Sequence, residues 1–392
     1  MTRILVTGGP VHAKIDAIKI VTNNFRGGRM VQLAEELAGA GNDVSWMSPG
    51  EIMSEQPSRT DIQTIDHSGF HDYQEKIKTL APDYDAIVFG AAVANLIPIA
   101  LYKSFCVVGG RYELDDEQTI DGNLIPLPLE GKFPSHDYEP GEPFFMQWAV
   151  APRVINDVHK VSPKTHVFGF KLLAGVPLEE LIDAAYDIVL DAHATCVFAN
   201  LREDLDIVYA VMKDRSVHKM PRSQVSSWIE ALVADKYYRT ELIANLRPAP
   251  ALIEEAKALI DRFSTKFIDG PRGLVFGTVA VRDPDRNNAF VTTARGKNEV
   301  KEFSYVDTVF HRTRQVVSGM AKATLNAPLL HHIFKTNPDV KRIVHWHGYE
   351  EDWTDIPILP YAPSGTVRDS MRDVDESFIV EGHGAYILER DE

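Results

Sequence analysis

The strongest constraint on how this chain can fold is a repeating order: a short apolar run, a glycine turn, then an amphipathic stretch. Arg3–Thr7 (RILVT) is the first run, and it stops at Gly8-Gly9-Pro10. Met30, Leu33, Ala34, Leu37 and Ala38 then recur at the spacing of one helix face, and Gly39 and Gly41 end that helix. Asp43–Ser48 and 84–89 are further strand-like runs, the second followed by Gly90-Ala91-Ala92-Val93-Ala94-Asn95. Runs at 166–170, 187–190 and 195–199 continue the series, with 178–185 reading as helix. Strands separated by helices need crossover connections, so the fold class is α/β with a doubly wound, mostly parallel sheet.

At 392 residues the chain is long for one domain, and two are expected. The rhythm breaks over 114–148, where Pro126, Pro128, Pro134, Pro140 and Pro143 mark loops and short strands, either a dimerisation arm or a surface insertion. It breaks again at Arg247-Pro248-Ala249-Pro250, because prolines that close together do not continue a helix. The domains are therefore placed at 1–247 and 248–392, the second opening with a helix over 251–267 and strands at 274–281, 289–293 and 342–347.

Composition narrows the function classes. A net charge of −15 opposes phosphate backbones and anionic lipid, so neither a nucleic acid nor a membrane surface is expected as partner. A small anion such as a nucleotide can still bind where local charge opposes the global field. With no long apolar run and no basic-then-apolar leader, a cytoplasmic protein is expected. Cys106 and Cys196 lie far apart without CxxC spacing, which fits a reducing compartment and buried thiols.

In a doubly wound sheet, ligands bind beyond the carboxyl ends of the strands. Thr7-Gly8-Gly9, the 24–28 segment (Asn-Phe-Arg-Gly-Gly) and 90–95 fall at such ends. Glycine lets backbone N–H groups approach an anion, the helix that follows adds a favourable dipole, and Arg26 and Arg29 add charge. Neither GxxxxGKS/T nor GxGxxG is present. Such turns also occur simply where a side chain would clash.

The stretch TGGPVHAKIDAIKIVTNNFRGGRM resembles the opening of phosphopantothenate–cysteine ligases, of the DNA/pantothenate metabolism flavoprotein C-terminal type. Further on, GAAVAN at 90–95 is similar to that family's A-A-V-x-D turn. Gly131-Lys132 and Pro152-Arg153 are similar to its lysine-bearing segments, FKL at 170–172 to its F-K-L element, and Phe198-Ala199-Asn200 to its A-N element. The resemblance covers about 1–245 and implies a Rossmann-like fold. It implies a ligase of coenzyme A biosynthesis that activates a carboxylate with CTP or ATP and Mg²⁺, then joins it to an amine. It places Gly8, Gly9, Arg26, Gly27 and Gly28 at the phosphates, Asn24 at the activated acyl group, and Phe170 and Asn200 at the base. Lys171 and Asn95 are carried over as catalytic candidates, and Lys132 and Lys219 as further phosphate charges. Phe170 is equally the aromatic a core takes, Asn24 a turn residue, Asn200 a strand-end cap, and the lysines solvated charges. Arg26-Gly27 stands where the family has Ser-Ser, Val31 where it has Gly, and Asn95 where it has Asp. These changes alter how an anion is held.

Near the C-terminus, His345-Trp346-His347 ends a strand-like run, and residues two apart on a strand share a face. His383 follows in Glu381-Gly382-His383-Gly384. Three imidazoles from neighbouring strands can hold Zn²⁺ or another divalent metal. The FGTVAVR segment at 276–282, PDVKRIVHWH at 338–347 and His383-Gly384 resemble the class II aldolase/adducin family over about 250–392. In that family the metal polarises a carbonyl or enolate oxygen. Asn326 stands at the family's acidic position, and an amide is no general acid or base, so metal binding without aldolase chemistry is expected.

The leading expectation is a nucleotide-dependent acid–amine ligase with an appended three-histidine metal site. Its partners would be the nucleotide, a small phosphorylated carboxylic acid and an amine, and both resemblances imply a homodimer or larger. A metal-dependent lyase whose N-terminal domain only binds nucleotide or phosphorylated substrate is the alternative, and a regulatory protein with two degenerate sites is the third reading.

Overall fold

The computed structural model describes residues 1–102, 106–108, 111–113, 124–138, 140, 144–234, 238–269, 273–299, 301–348, 353, 355–361 and 373–390; the side chains of 106–108, 111–113 and 124 are not among them. Of the expected excursion over 114–148, residues 114–123, 139 and 141–143 lie outside the described residues, as does the Cys106 side chain. The chain forms two compact units, Met1–Phe170 with Asp191–Ala194, and Lys171–Leu190 with Thr195–Glu392. The proline break at 247/248 falls within the second unit, between a strand, Arg239–Leu242, and a helix beginning at Pro250.

In the first unit the parallel strands are β1 (Arg3–Thr7), β2 (Asp43–Ser48), β3 (Gln63–Asp66), β4 (Ala86–Phe89) and the start of β8 (His166–Leu173). They lie side by side in the order β8-β4-β1-β2-β3, with Ile4 paired to Val44 on one side and to Ala86 on the other. Ile4, Leu5 and Val6 are fully buried, the signature of a central strand covered on both faces. Helix α1 (Gly28–Gly39) crosses back from β1 to β2 and buries Met30, Leu33, Ala34, Leu37 and Ala38, the face read from the sequence. Helix α2 is Phe70–Leu80. The mostly parallel α/β reading therefore holds for this unit.

In and around the proline-rich stretch, three strands make an antiparallel sheet: β5 (Leu96–Tyr102), which precedes it, pairs with β6 (Leu124–Pro126) and with β7 (Phe145–Val150). Leu96, Trp148 and Val150 are exposed on it.

The second unit carries α3 (Leu178–Ala192) up to Leu190, β9 (Cys196–Leu201), β10 (Asp204–Met212), β11 (Val217–Pro221) and α4 (Val225–Ala234). The run at 187–190, expected as a strand, is instead the end of α3. Leu181, Ala185, Val189 and Ala192 are all buried, which is helical spacing, so a four-residue apolar run was too short to separate the two periods. Strands β9, β10 and β11 pair antiparallel. The rest is a nine-stranded sheet built from β12 (Arg239–Leu242), β13 (Thr278–Arg282), β14 (Phe290–Thr293), β15 (Phe303–Phe310), β16 (Gln315–Gly319), β17 (Val340–Trp346), β18 (Ile358–Leu359), β19 (Phe378–Val380) and β20 (Gly384–Arg390). Its order is β12-β16-β15-β14-β13-β17-β20-β19-β18.

Helix α5 (Pro250–Arg262) covers one face through Leu252, Ala256, Leu259 and Ile260, packed with Val279, Val281, Val344 and Trp346. Helix α6 (Ala327–Thr336) covers the other through Leu330, Ile333 and Phe334, packed with Ala280, Phe290 and Ile343. Neighbours on one strand thus alternate between two cores, as a two-residue period requires. Arg282 turns its guanidinium to the end of α6, donating to the carbonyls of Phe334 (2.6 Å), Asn337 (2.7 Å) and, through Nε, Val340 (2.7 Å). A cation satisfying terminal helix carbonyls also complements the helix dipole. Among the described residues no helix is long and apolar enough to cross a membrane.

Asp16 organises the loop after β1. Its carboxylate accepts from the backbone N–H groups of Ile18 (2.7 Å), Lys19 (2.5 Å) and Phe133 (2.9 Å). Those donors hold its pKa well below the ordinary carboxylate range. A depressed carboxyl pKa contributes stability that is present above the unfolded value and is lost as the pH falls through the folded one. Asp16→Asn is therefore expected to lower the melting temperature near neutrality and to flatten the loss of stability below about pH 4. Melting curves of both proteins across that range check it, and equal acid slopes would contradict it.

Candidate functional site

The glycine turns of the first unit meet at the carboxyl end of β1. Gly27 has φ +86°, and a Cβ there would lie 2.4 Å from the Gly9 nitrogen, so two backbones pass in contact. Gly27 is also the residue preceding α1, and its carbonyl accepts from Met30 (2.8 Å) and Val31 (3.0 Å). The 90–95 turn joins them, with Ala92 N–H donating to the Gly9 carbonyl (2.9 Å). Gly8, Gly9, Gly27, Gly28 and the 90–95 turn are thus neighbours, as strand-end geometry demands.

Packing accounts for part of this glycine content. A Cβ at Gly8 would enter the Trp46 ring (2.0 Å), and one at Gly28 would meet the Glu55 carboxylate (2.5 Å). The Gly8 N–H is bonded to the Met47 carbonyl. Arg26, Asn24 and Asn95 are exposed. It is Asn23, not singled out in the sequence, that crosses to the 90–95 turn, its amide donating to the Val93 carbonyl (2.9 Å). Two adjacent asparagines give no sequence signal for which one turns inward. Phe170 is half-buried at the end of the first unit. Lys171 and Asn200 belong to the second, where Asn200 is buried and its amide donates to the Ile207 carbonyl across a bulge between β9 and β10. Lys132 and Lys219 are exposed.

The second unit brings His345, His347 and His383 together, with one ring nitrogen of each within 4.8 Å of the others. His345 near the end of β17 and His347, the residue just after it, are two apart and point the same way, and His345 pairs with Tyr386 on β20. His383 arrives through Gly384, whose φ is +145° and whose Cβ would lie 2.0 Å from the Trp346 carbonyl oxygen. Only glycine allows that approach. His345 Nδ1 lies 2.9 Å from the Ala385 carbonyl, and donating there directs Nε2 at the cluster. His345 Nε2 and His383 Nε2 are buried with no hydrogen-bond partner. Burial, then mutual repulsion, pushes the His345 pKa far down; the same causes take His347 to about 3, and burial lowers His383 against the pull of Asp214. Three neutral imidazoles, two of them with a buried nitrogen that makes no hydrogen bond, fit a divalent metal.

A cavity of about 200 Å³ opens beside His347. Its lining includes Asp214, Lys213, Arg295, Lys297 and Asn326. Lys297 is 6% exposed, donates to the Gly277 carbonyl (2.7 Å), and is lowered to about 8 by burial. Asn326 is buried and accepts from the Tyr386 hydroxyl (3.1 Å), whose ring stacks on His345 at 4.2 Å. The sequence did not single out Lys297 or Asp214, because nothing local distinguishes a buried charge from a surface one.

The family model for the DNA/pantothenate metabolism flavoprotein C-terminal domain matches residues 1–103. The coenzyme A biosynthesis bifunctional protein CoaBC of Thermococcus kodakarensis is 24% identical over 199 residues, 50% of this chain and 41% of that protein. The chain thus spans less than half of that relative's length. Among solved structures, the DNA/pantothenate metabolism flavoprotein from Streptococcus pneumoniae aligns at 20% identity over 59% of this chain and 97% of that one, with a TM-score of 0.47. An L-fuculose 1-phosphate aldolase from Glaciozyma antarctica aligns at 20% identity over 35% of this chain and 63% of that one, with a TM-score of 0.25.

Two outcomes are expected. Gly27→Ala adds the cost of a left-handed conformation, about 1–2 kcal/mol, to a clash with Gly9. Gly41→Ala, at φ +92° with nothing within 4 Å, bears the first alone. Urea unfolding should show the larger loss for Gly27→Ala, and equal losses would contradict the contact. The metal-free protein should also lose stability as the pH falls below about 6.5 toward the lowered values of His345, His347 and His383, because the unfolded chain takes protons that the fold refuses. Each extra proton bound is worth about 1.4 kcal/mol per pH unit, and His345→Ala should make the dependence shallower.

Proposed function

We propose that the chain is a nucleotide-dependent acid–amine ligase of the phosphopantothenate–cysteine ligase type, with its ligase module over 1–247 and a divalent-metal module over 248–392. The observation that carries the reading is the meeting of Gly9, Gly27 and the 90–95 turn at the end of β1, inside the stretch that the family model covers. A carboxylate repels an amine's lone pair and has no good leaving group. Transfer to a nucleotide phosphate, with Mg²⁺, supplies one. The protein's task is then to hold phosphate on backbone N–H groups and to hold the acyl group still for attack. Gly9, Gly27 and Gly28 are assigned the first task and Asn24 and Asn95 the second, with Arg26 supplying charge. Phe170 and Asn200 are assigned to the base, and Lys171 to the transferred phosphate.

The substrates in this reading are CTP or ATP, a small phosphorylated carboxylic acid such as 4′-phosphopantothenate, and an amine such as cysteine, in the cytoplasm. The apolar residues Leu96, Trp148 and Val150, exposed on the β5–β7 sheet, support assembly into a homodimer or larger.

The cavity beside His347 favours a second reading, in which the metal module itself turns over a small anion. A divalent cation held by His345, His347 and His383 would polarise a carbonyl or enolate oxygen. Lys213, Arg295 and Lys297 would hold the anionic end of the substrate. Asn326 cannot move a proton there, so aldol cleavage is not part of the reading.

The test is thermal shift with CTP, ATP, UTP and GTP plus Mg²⁺, followed by an assay with phosphopantothenate and cysteine. A ligand specific to the fold adds about 2.7 kcal/mol at a hundredfold excess over its Kd. Stabilisation by one nucleotide, with release of pyrophosphate and CMP or AMP, or of orthophosphate, only when acid and amine are both present, is the expected result. No shift with any nucleotide, together with turnover lost on chelation and in His345→Ala, would overturn it in favour of the second reading.

A further inference from the structure

Three imidazoles are neutral, so they leave the charge of a dication unbalanced in a buried site. That imbalance is costly unless an anion stands close. The nearby cations Lys297 and Arg295 make it larger.

The turn between β10 and β11 brings the anion. Asp214 has a side chain 8% exposed, and its Oδ2 lies 3.7 Å from His383 Nε2. Its other oxygen accepts from the Ser216 backbone N–H (3.0 Å) and hydroxyl (2.6 Å), which fixes the orientation of the carboxylate. The turn closes on itself through Met212 N–H to the Ser216 carbonyl and Arg215 N–H to the Met212 carbonyl, both 2.9 Å. It is tied directly to the histidine segment, since Val217 N–H donates to the Gly382 carbonyl (3.0 Å). Gly382 in turn rests on the His218 ring, where a Cβ would lie 2.5 Å from Cε1. Arg215 pins the turn from its other side, with its guanidinium 2.8 Å from Asp183 and 5.3 Å above the Phe276 ring. His383 and the Asp214 carboxylate are therefore parts of one rigid assembly.

The distance suits a shared ion. With bonds of about 2.1 Å, two ligand atoms of a tetrahedral centre lie about 3.4 Å apart. The charge of Asp214 also acts on His347 and on Tyr386, so it faces the cluster as a whole.

We propose that Asp214 is the fourth ligand of the metal centre, which makes it a site of three histidines and one carboxylate. Its consequence is a closed coordination sphere. Four protein ligands hold an ion for structure, whereas a catalytic site keeps a position open. The ion would join the β10–β11 turn to β17 and to the segment before β20.

The proposal rests on the metal reading of the histidine cluster, and one experiment separates the two. The full chain is stripped with chelator and titrated with Co²⁺ and Zn²⁺, following the visible Co²⁺ absorption and the Zn²⁺ affinity. Wild-type protein is expected to bind one ion with the intense spectrum of a four-coordinate site. Asp214→Asn should weaken Zn²⁺ binding at least about tenfold and change the Co²⁺ spectrum. If Asp214→Asn does not fold, the wild-type Co²⁺ protein is titrated with azide: a sphere closed by four protein ligands should leave the spectrum unchanged, and a spectrum that shifts as azide binds overturns the assignment. An Asp214→Asn protein with a wild-type Co²⁺ spectrum also overturns it, whatever its affinity. A wild-type chain that binds neither ion overturns the metal reading and the proposal together.

Discussion

The histidine cluster depends on one backbone contact. At Gly384 the chain passes so close to the Trp346 carbonyl that a Cβ would stand 2.0 Å from its oxygen. Without that approach β20 could not lie against β17 in the register that opposes Ala385 to Trp346 and Tyr386 to His345. His383 precedes that strand directly, so the contact also sets its distance from the other two imidazoles. The same approach seats Tyr386 flat on His345 and brings its hydroxyl to Asn326. A tight sheet is thus the means by which His383 joins His345 and His347, almost forty positions earlier in the chain, in one site.

The first unit solves a comparable problem differently. There the backbones of Gly9 and Gly27 touch at the end of a parallel strand, and the surrounding side chains, Trp46 and Glu55, fill the space beside Gly8 and Gly28. Packing explains why glycine is needed there, and in the proposed reading an anion would use backbone N–H groups of the same turn. The two explanations are compatible because a missing side chain serves both close packing and close approach.

How much of this was legible in the sequence varies with the range of the interaction that decides it. The face of α1 and the sharing of a face by His345 and His347 follow from local periods, and both are found as read. The run at 187–190 fails because four apolar residues fit either period, and only the burial of Leu181, Ala185 and Val189 along one helix face decides it. Asn23 and Asn24 are indistinguishable until the 90–95 turn is in place. Asp214 and Lys297 are silent in the sequence because each owes its setting to strands far along the chain. The second unit extends past the proline break in both directions, since contacts group α3 and β9–β11 with the nine-stranded sheet.

Asp16 illustrates what such long reach means for how the molecule comes into being. Its carboxylate holds the N–H of Phe133, 117 positions away. A ribosome adding about 5–20 residues per second needs several seconds to make the intervening chain. During that interval β1 and the strands beside it can pair, while the loop around Asp16 still lacks one of its donors. The loop after β1 is therefore incomplete until Phe133 is made, although β1 to β4 all precede it in the chain and only β8 of that parallel row follows it.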